Sequence, residues 1–208
     1  MREGGTYIMN IFVLHQDPVI AAQMQCDKHV VKMIVESGQM LSTAHRMLDG
    51  KKMKKPSKSG KRMVDYYDLY EGPYNDLEAE LCYYKAVHHK HPCTVWTMES
   101  SANYRWHWEH LKALCEEYTY RYATEKEPYK DTKTARELLW QIQSPPRNIP
   151  DGPMTPFKLA MKSNPECMFP DDPVKSYRMF YHTKQDRFKM EWTRRKQPEW
   201  WNAHLYAA

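Results

Sequence analysis

Residues 26–46 read CDKHVVKMIVESGQMLSTAHR, and their periodicity decides the fold class. At about 100° per residue, Val30, Ile34 and Leu41 fall on one face, with Met33 and Met40 beside it. That is the apolar stripe of a core-facing helix. His29, Lys32, Glu36, Gln39 and Thr43 form a second stripe, turned well away from the first. It gathers an imidazole, an amine, a carboxylate and an amide, the groups that proton transfer or imine chemistry uses. The same spacing also describes a solvated face with i,i+4 pairs such as Lys32–Glu36.

Working outward, Asp17-Pro18 supplies an N-cap followed by proline at the first helical position. The pattern predicts one helix from Val19 to about Met47, with a break near Gly38. The short apolar run 9–14 (MNIFVL) reads as a strand or as a lead into that helix. Residues 49–62 (DGKKMKKPSKSGKR) read as a mobile basic loop, and 63–88 as helical with an interruption at Gly72-Pro73. A long helix is predicted over 100–122, because Tyr104, Trp108, Leu111, Cys115, Tyr118 and Tyr122 recur at spacings of three and four. Residues 123–173 hold most of the 14 prolines around one helical pattern at 131–143, and read as an irregular ordered segment lying on the body. Asp172-Pro173 opens a last helix, expected to run to about 192. The fold class is therefore mainly α, one compact helical domain over 1–208 with a long Pro-rich loop.

The charge is unevenly spread. Seven basic residues and no acid lie between Lys51 and Arg62, and eight against two acids lie between Lys175 and Lys196. These two segments carry +13 of a net charge of +5, so the rest of the chain is acidic at −8. Basic segments near Trp and Tyr suit phosphate contacts and predict strongly salt-dependent binding; solubility alone would also account for such charge. The candidate nucleic-acid contacts are Lys51, Lys52, Lys54, Lys55 and Arg62 in the first segment. In the second they are Arg178, Arg187, Arg194 and Arg195, joined by Trp200 and Trp201 in the tail.

Several classes are excluded. No apolar run reaches the roughly 20 residues of a membrane span, and the amino-terminal residues make a poor signal peptide. Five scattered cysteines without a C-x-x-C pair read as reduced thiols in a cytosol, which places the protein in the cytoplasm. No glycine-rich phosphate loop occurs. His88, His89 and His91 lack a second ligand cluster, and Cys26-x-x-His29 and His107-x-x-His110 are each half a zinc site. No metal or cofactor is called for.

The order of features resembles the phage pyrimidine-dimer DNA glycosylase/abasic-site lyase family, also called phage-type endonuclease V. The resemblance rests on Asp27-Lys28-His29 with Glu36 seven residues beyond the His. It continues in Leu114, Glu117 and Arg121 of the long helix after His91, and in Arg195, Pro198, Trp200 and Trp201 of the tail. The chain also resembles phage-encoded proteins carrying CDKHVVKM, HPC, EYTYRY and TPF motifs. The family resemblance implies a small helical DNA-repair enzyme in a host cytoplasm, with Glu36 as catalytic carboxylate, His29 in support and Arg121 beside the nucleic acid. The family's nucleophile is the processed N-terminal amine. Here MREGGTYI precedes the matching segment, so the candidate amines are Lys28, Lys32 and the N-terminus. The expected partner is DNA sooner than RNA, and the expected substrate a damaged or modified pyrimidine. The alternatives are a non-catalytic phage accessory protein that binds nucleic acid or a host protein, and a base-modification enzyme on the same fold.

Overall fold

Asp17 and Pro18 start the first helix of the protein, which a computed structural model describes over residues 9–201. In α1 (Pro18–Gln23) the Asp17 carboxylate accepts the Val19 and Ile20 N–H groups at 2.8 and 3.0 Å, satisfying donors that a helix start leaves orphaned. The single helix expected from Val19 to Met47 does not form. The chain leaves α1 at Met24 and restarts as α2 (Asp27–Asp49). Neither glycine nor proline marks that break; distant partners make it. Gln25 Nε2 donates to the Ile11 carbonyl at 3.3 Å, and the Cys26 N–H to the Tyr181 hydroxyl at 2.8 Å. Gly38, where a break was expected, lies inside an unbroken α2. A Cβ there would stand 3.0 Å from the Thr134 and Tyr84 side chains. Glycine at this point lets α6 (Lys133–Glu137) and its neighbours close on the helix.

The core forms where α2 crosses α5 (Ser101–Tyr122), with α1 and α4 (Pro92–Glu99) packed beside them. Val30, Met33, Ile34, Met40 and Leu41 of α2 are fully buried, as their stripe predicts. On α5, Tyr104, Leu111 and Cys115 are buried, while Trp108, Tyr118 and Tyr122 sit half-buried at the rim.

The basic segment is not a loop. Residues 51–56 form β1 (Lys51–Pro56), antiparallel to β2 (Met63–Asp68), which occupies the start of the stretch expected to be helical. Val64, Tyr66 and Tyr67 favour a pleated, half-buried surface. The register sets Lys54 opposite Asp65 and Lys51 opposite Asp68, so cross-strand charge attraction adds to it. Gly60, at φ +71°, makes the turn. α3 (Leu77–Cys82) follows. Arg46 of α2 ties this region down: its guanidinium donates to the carbonyls of Tyr67, Glu80, Tyr83 and Tyr84 and to the Glu80 carboxylate. That set of acceptors matches the five N–H donors of a guanidinium, which explains an arginine only 1% exposed.

Between residues 123 and 173 only α6 and a 3₁₀ turn (Pro165–Cys167) are regular. The last helix, α7 (Pro173–His182), stops well short of 192. Among the described residues no helix is long and apolar enough to cross a membrane.

Candidate functional site

Helix α2 carries an inversion of ordinary amphipathicity. Val31 and Val35 are each 44% exposed, whereas His29 and Glu36 are buried at 5% and 6%. Putting two valines in water and an imidazole and a carboxylate under cover works against solvation, and such local conflicts mark functional sites. Of the polar stripe, only Lys32 stands in solvent; Gln39 is half-buried and Thr43 buried.

Glu36 opens on a groove of about 480 Å³ walled by Met9, Val31, Val35, Val87 and His88. Its Oε1 pairs with Lys32 Nζ at 3.1 Å, and its Oε2 accepts the Asn10 N–H at 3.3 Å. Burial pushes the Glu36 carboxyl above the usual carboxylate range, against the opposing pull of Lys32 and of the Asn10 N–H.

On the other side of Lys32 lies a smaller pocket of about 200 Å³, where Lys28, Lys184 and Arg187 meet Phe12, Phe188 and His29. His29 stacks on Phe12 with ring centroids 4.6 Å apart, and its Nδ1 lies 2.7 Å from the Tyr181 hydroxyl. Burial, reinforced by the Lys32 and Lys184 charges, lowers its pKa to about 3. His29 is therefore a neutral ring at physiological pH and does not supply charge to the site. Backbone strain concentrates here too. Phe12 at φ 53° and His88 at φ 47°, one in each pocket wall, are two of the four non-glycine residues with positive φ among the described residues. For a bulky side chain that conformation is costly and persists only where the surroundings enforce it.

The structure thus gathers Lys28, His29, Lys32 and Glu36 along one helix face and adds two groups from the α7 end of the chain. Lys184, one of the basic residues between 175 and 196 whose clustering suits phosphate contacts, is only 5% exposed. Burial, with the Arg187 and Lys32 charges, lowers its pKa to about 8. Nothing in the local sequence TKQDRF announces this, because the burial comes from the fold; the only available signal was a lysine beside a basic cluster.

The remaining candidates separate. Arg121 is wholly buried, bonded to Glu117 at 2.7 Å and Asp27 at 2.8 Å, so it stands behind the surface and away from any phosphate. Arg195 clasps the same Glu117 at 2.8 Å, and Arg194 donates to the carbonyls of Tyr120 and Ala123. Arg178 donates to the Leu14 carbonyl. Trp201 is 7% exposed, stacked on His182 at 4.4 Å, and the Trp200 indole N–H points to the Met24 sulfur. These tail residues anchor residues 194–201 on the body, with Trp201 buried and Trp200 half-buried. In the hairpin, Lys52 and Lys54 both face Asp65, Lys55 faces Asp68, and Lys51 approaches Glu71 at 3.9 Å. Arg62 is exposed at the turn. The hairpin leaves the far end of α2, 13 residues beyond Glu36, or about 20 Å at roughly 1.5 Å per residue. It does not wall the Glu36 groove, and the second basic segment comes near only through Lys184 and Arg187 in the neighbouring pocket.

No family model, curated protein or solved structure matches the chain.

A further cleft of about 220 Å³ lies where α2 ends, lined by His45, Asp49, Asp76, Tyr83 and Arg147 among others. Its acids are already engaged: Asp49 accepts the Arg147 and Asn148 N–H groups, and Asp76 caps α3. Burial pushes the Cys93 and Cys115 thiols up to about 12, the opposite of what a nucleophilic thiol needs. Among the described residues no three His, Cys, Asp or Glu side chains are grouped as a metal site would require.

Proposed function

We propose that the chain is a DNA-acting enzyme of the glycosylase/lyase kind, working on a damaged or modified pyrimidine in the groove beside Glu36. The observation that carries this reading is the buried Glu36 carboxyl, raised by burial, opening on an apolar groove with a lysine amine 3.1 Å away. An unstacked base is a flat apolar body, and the exposed Val31 and Val35 give it a surface to rest on. The amine of Lys28 or Lys32 would bond to C1′ of the sugar as the bond from C1′ to the base breaks, one amine proton leaving with the base; the C1′–O4′ bond would then open, with Glu36 carrying the remaining amine proton to O4′. The resulting imine links enzyme and DNA until it is hydrolysed or eliminated.

Borohydride reduces such an imine to a permanent bond. Incubating the full chain and borohydride with duplexes carrying an abasic site or a pyrimidine lesion is expected to give a covalent adduct. Glu36→Gln should lose the adduct, and so should either Lys28→Met or Lys32→Met. Absence of both adduct and strand cleavage refutes the reading. Nucleoside mass spectrometry of the treated DNA separates base release from base modification on the same fold.

The Lys32–Glu36 ion pair favours a second reading, since it is the i,i+4 pair of an ordinary helix face. In it the chain is a non-catalytic accessory protein that binds nucleic acid, and Glu36→Gln leaves binding unchanged.

A further inference from the structure

The pocket on the far side of Lys32 has a charge imbalance that asks for a ligand. Lys28, Lys184 and Arg187 line it together with Lys32. Lys32 has Glu36 as its counter-charge. Among the described residues no ion pair joins Lys28, Lys184 or Arg187 to a carboxylate. Lys184 and Lys28 instead rest against aromatic rings, with Nζ 3.3 Å from the Phe180 centroid and 4.8 Å from that of Phe188. The Lys184 ammonium donates to the Thr183 hydroxyl at 3.4 Å. A buried ammonium without a counter-ion is expensive, and more so beside two other cations. The depressed pKa of Lys184, caused by burial and then by Arg187, is the same cost seen from the proton's side. Strained Phe12 forms one wall, so the shape of the pocket is enforced.

We infer that this pocket binds the terminal phosphate of a nucleotide, held by Lys28, Lys184 and Arg187, as a site separate from the Glu36 groove. The charge count selects a phosphomonoester. Three unpaired cations face a group carrying about −1.5 to −2 charges, whereas a backbone diester carries a single charge and leaves most of the imbalance standing. Arginine offers a fork for two phosphate oxygens, and the lysines act as point charges. The position fits the groove next door: Lys28, Lys32 and Glu36 follow one another by single helical turns, about 6 Å apiece. A phosphate among the first two and a base beside the third would span one nucleotide. The ligand is either a free mononucleotide or the phosphorylated end of a strand. The nucleotide part of this inference rests on the proposed reading of the groove; the phosphate part does not.

Calorimetric titration of the full chain tests it with two pairs of probes: a nucleoside 5′-monophosphate against its nucleoside, and a short single strand with a 5′-phosphate against the same strand with a 5′-hydroxyl. The phosphorylated member of at least one pair should bind at least about 10-fold more tightly, the equivalent of roughly 1.4 kcal/mol, and whichever pair shows the difference names the source. Arg187→Ala, at an exposed position, should remove that difference while thermal unfolding stays unchanged; Lys184→Met should do the same where it folds. Equal binding within both pairs, or a difference that survives Arg187→Ala, overturns the inference. Glu36→Gln is titrated alongside. It should keep the phosphate difference even if the chain proves to have no activity on DNA, so failure of the chemistry and failure of the pocket are read apart.

Discussion

Replacing Arg121 by methionine separates the structural from the DNA-contact reading of the Glu-x-x-x-Arg motif in α5. The side chain is fully buried and makes three bonds: 2.7 Å to Glu117, 2.8 Å to Asp27 and 3.1 Å to the Gln23 carbonyl. Removing one partner of a buried ion pair costs roughly 3–5 kcal/mol, because a charge is left uncompensated. Here Glu117 keeps Arg195, and Asp27 keeps the Thr193 N–H and hydroxyl. The loss should therefore fall at the lower end, about 3 kcal/mol. With a urea slope of about 2 kcal/mol/M, the unfolding midpoint drops by about 1.5 M. Arg195→Met alone, at a side chain 31% exposed, should cost only about 1 kcal/mol. The double variant should lose about 1–2 kcal/mol more than the two singly, since Glu117 is then orphaned. Urea titrations of the four proteins give this cycle directly. A cost under about 1 kcal/mol for Arg121→Met refutes the buried node. So does a variant of unchanged stability whose DNA binding loses about one unit of salt slope, the signature of a lost phosphate contact.

Three further outcomes follow from the same physics. Glu36 has a folded-state pKa above its unfolded value, so its contribution is fully present below the unfolded pKa and is lost as pH rises through the folded one. Glu36→Gln should thus be more stable than the parent at pH 7 by about 1 kcal/mol, and the advantage should vanish below about pH 4; a destabilised variant at pH 7 contradicts the assignment. His29, His45 and His110 are held neutral by burial, at about 3, 4 and 3. Their contribution is complete above the unfolded value of about 6.5 and is lost as pH falls, at up to roughly 1.4 kcal/mol per pH unit for each group. Circular dichroism should show unfolding before about pH 4; because burial also lowers His107, His91 and His182, His110→Gln should flatten the decline by no more than about a quarter. Arg46→Met should cost at least about 3 kcal/mol and expose the hairpin to limited proteolysis first, since Arg46 holds carbonyls from β2, α3 and residues 83–84 together; uniform cleavage across the chain would count against this.

Features that are periodic or local could be read from the amino-acid order alone. The apolar stripes of α2 and α5 were legible because burial on one side of a helix imposes a period of about 3.6. The caps at Asp17 and Asp172 act within three residues of themselves. The grouping of His29, Lys32 and Glu36 on one face followed from helical geometry. Tertiary structure alone decided whatever depends on partners far along the chain. The break at 24–26 is set by Ile11 and Tyr181, the continuity at Gly38 by Thr134 and Tyr84, and the hairpin by a register between two segments that each looked like something else. Charge showed the difference most sharply. Counted along the chain, Arg121, Arg194, Arg195 and the lysines 51, 52, 54 and 55 looked like surface contacts, yet each has a partner within the fold, and apart from the i,i+4 pair of Arg121 with Glu117 no helical spacing predicts them. Three cations of the smaller pocket, Lys28, Lys184 and Arg187, come from segments far apart in the chain and meet only because α7 returns to the start of α2. The amino-acid order says which charges exist; folding decides which of them are already neutralised, because Coulomb energy depends on distance and on burial.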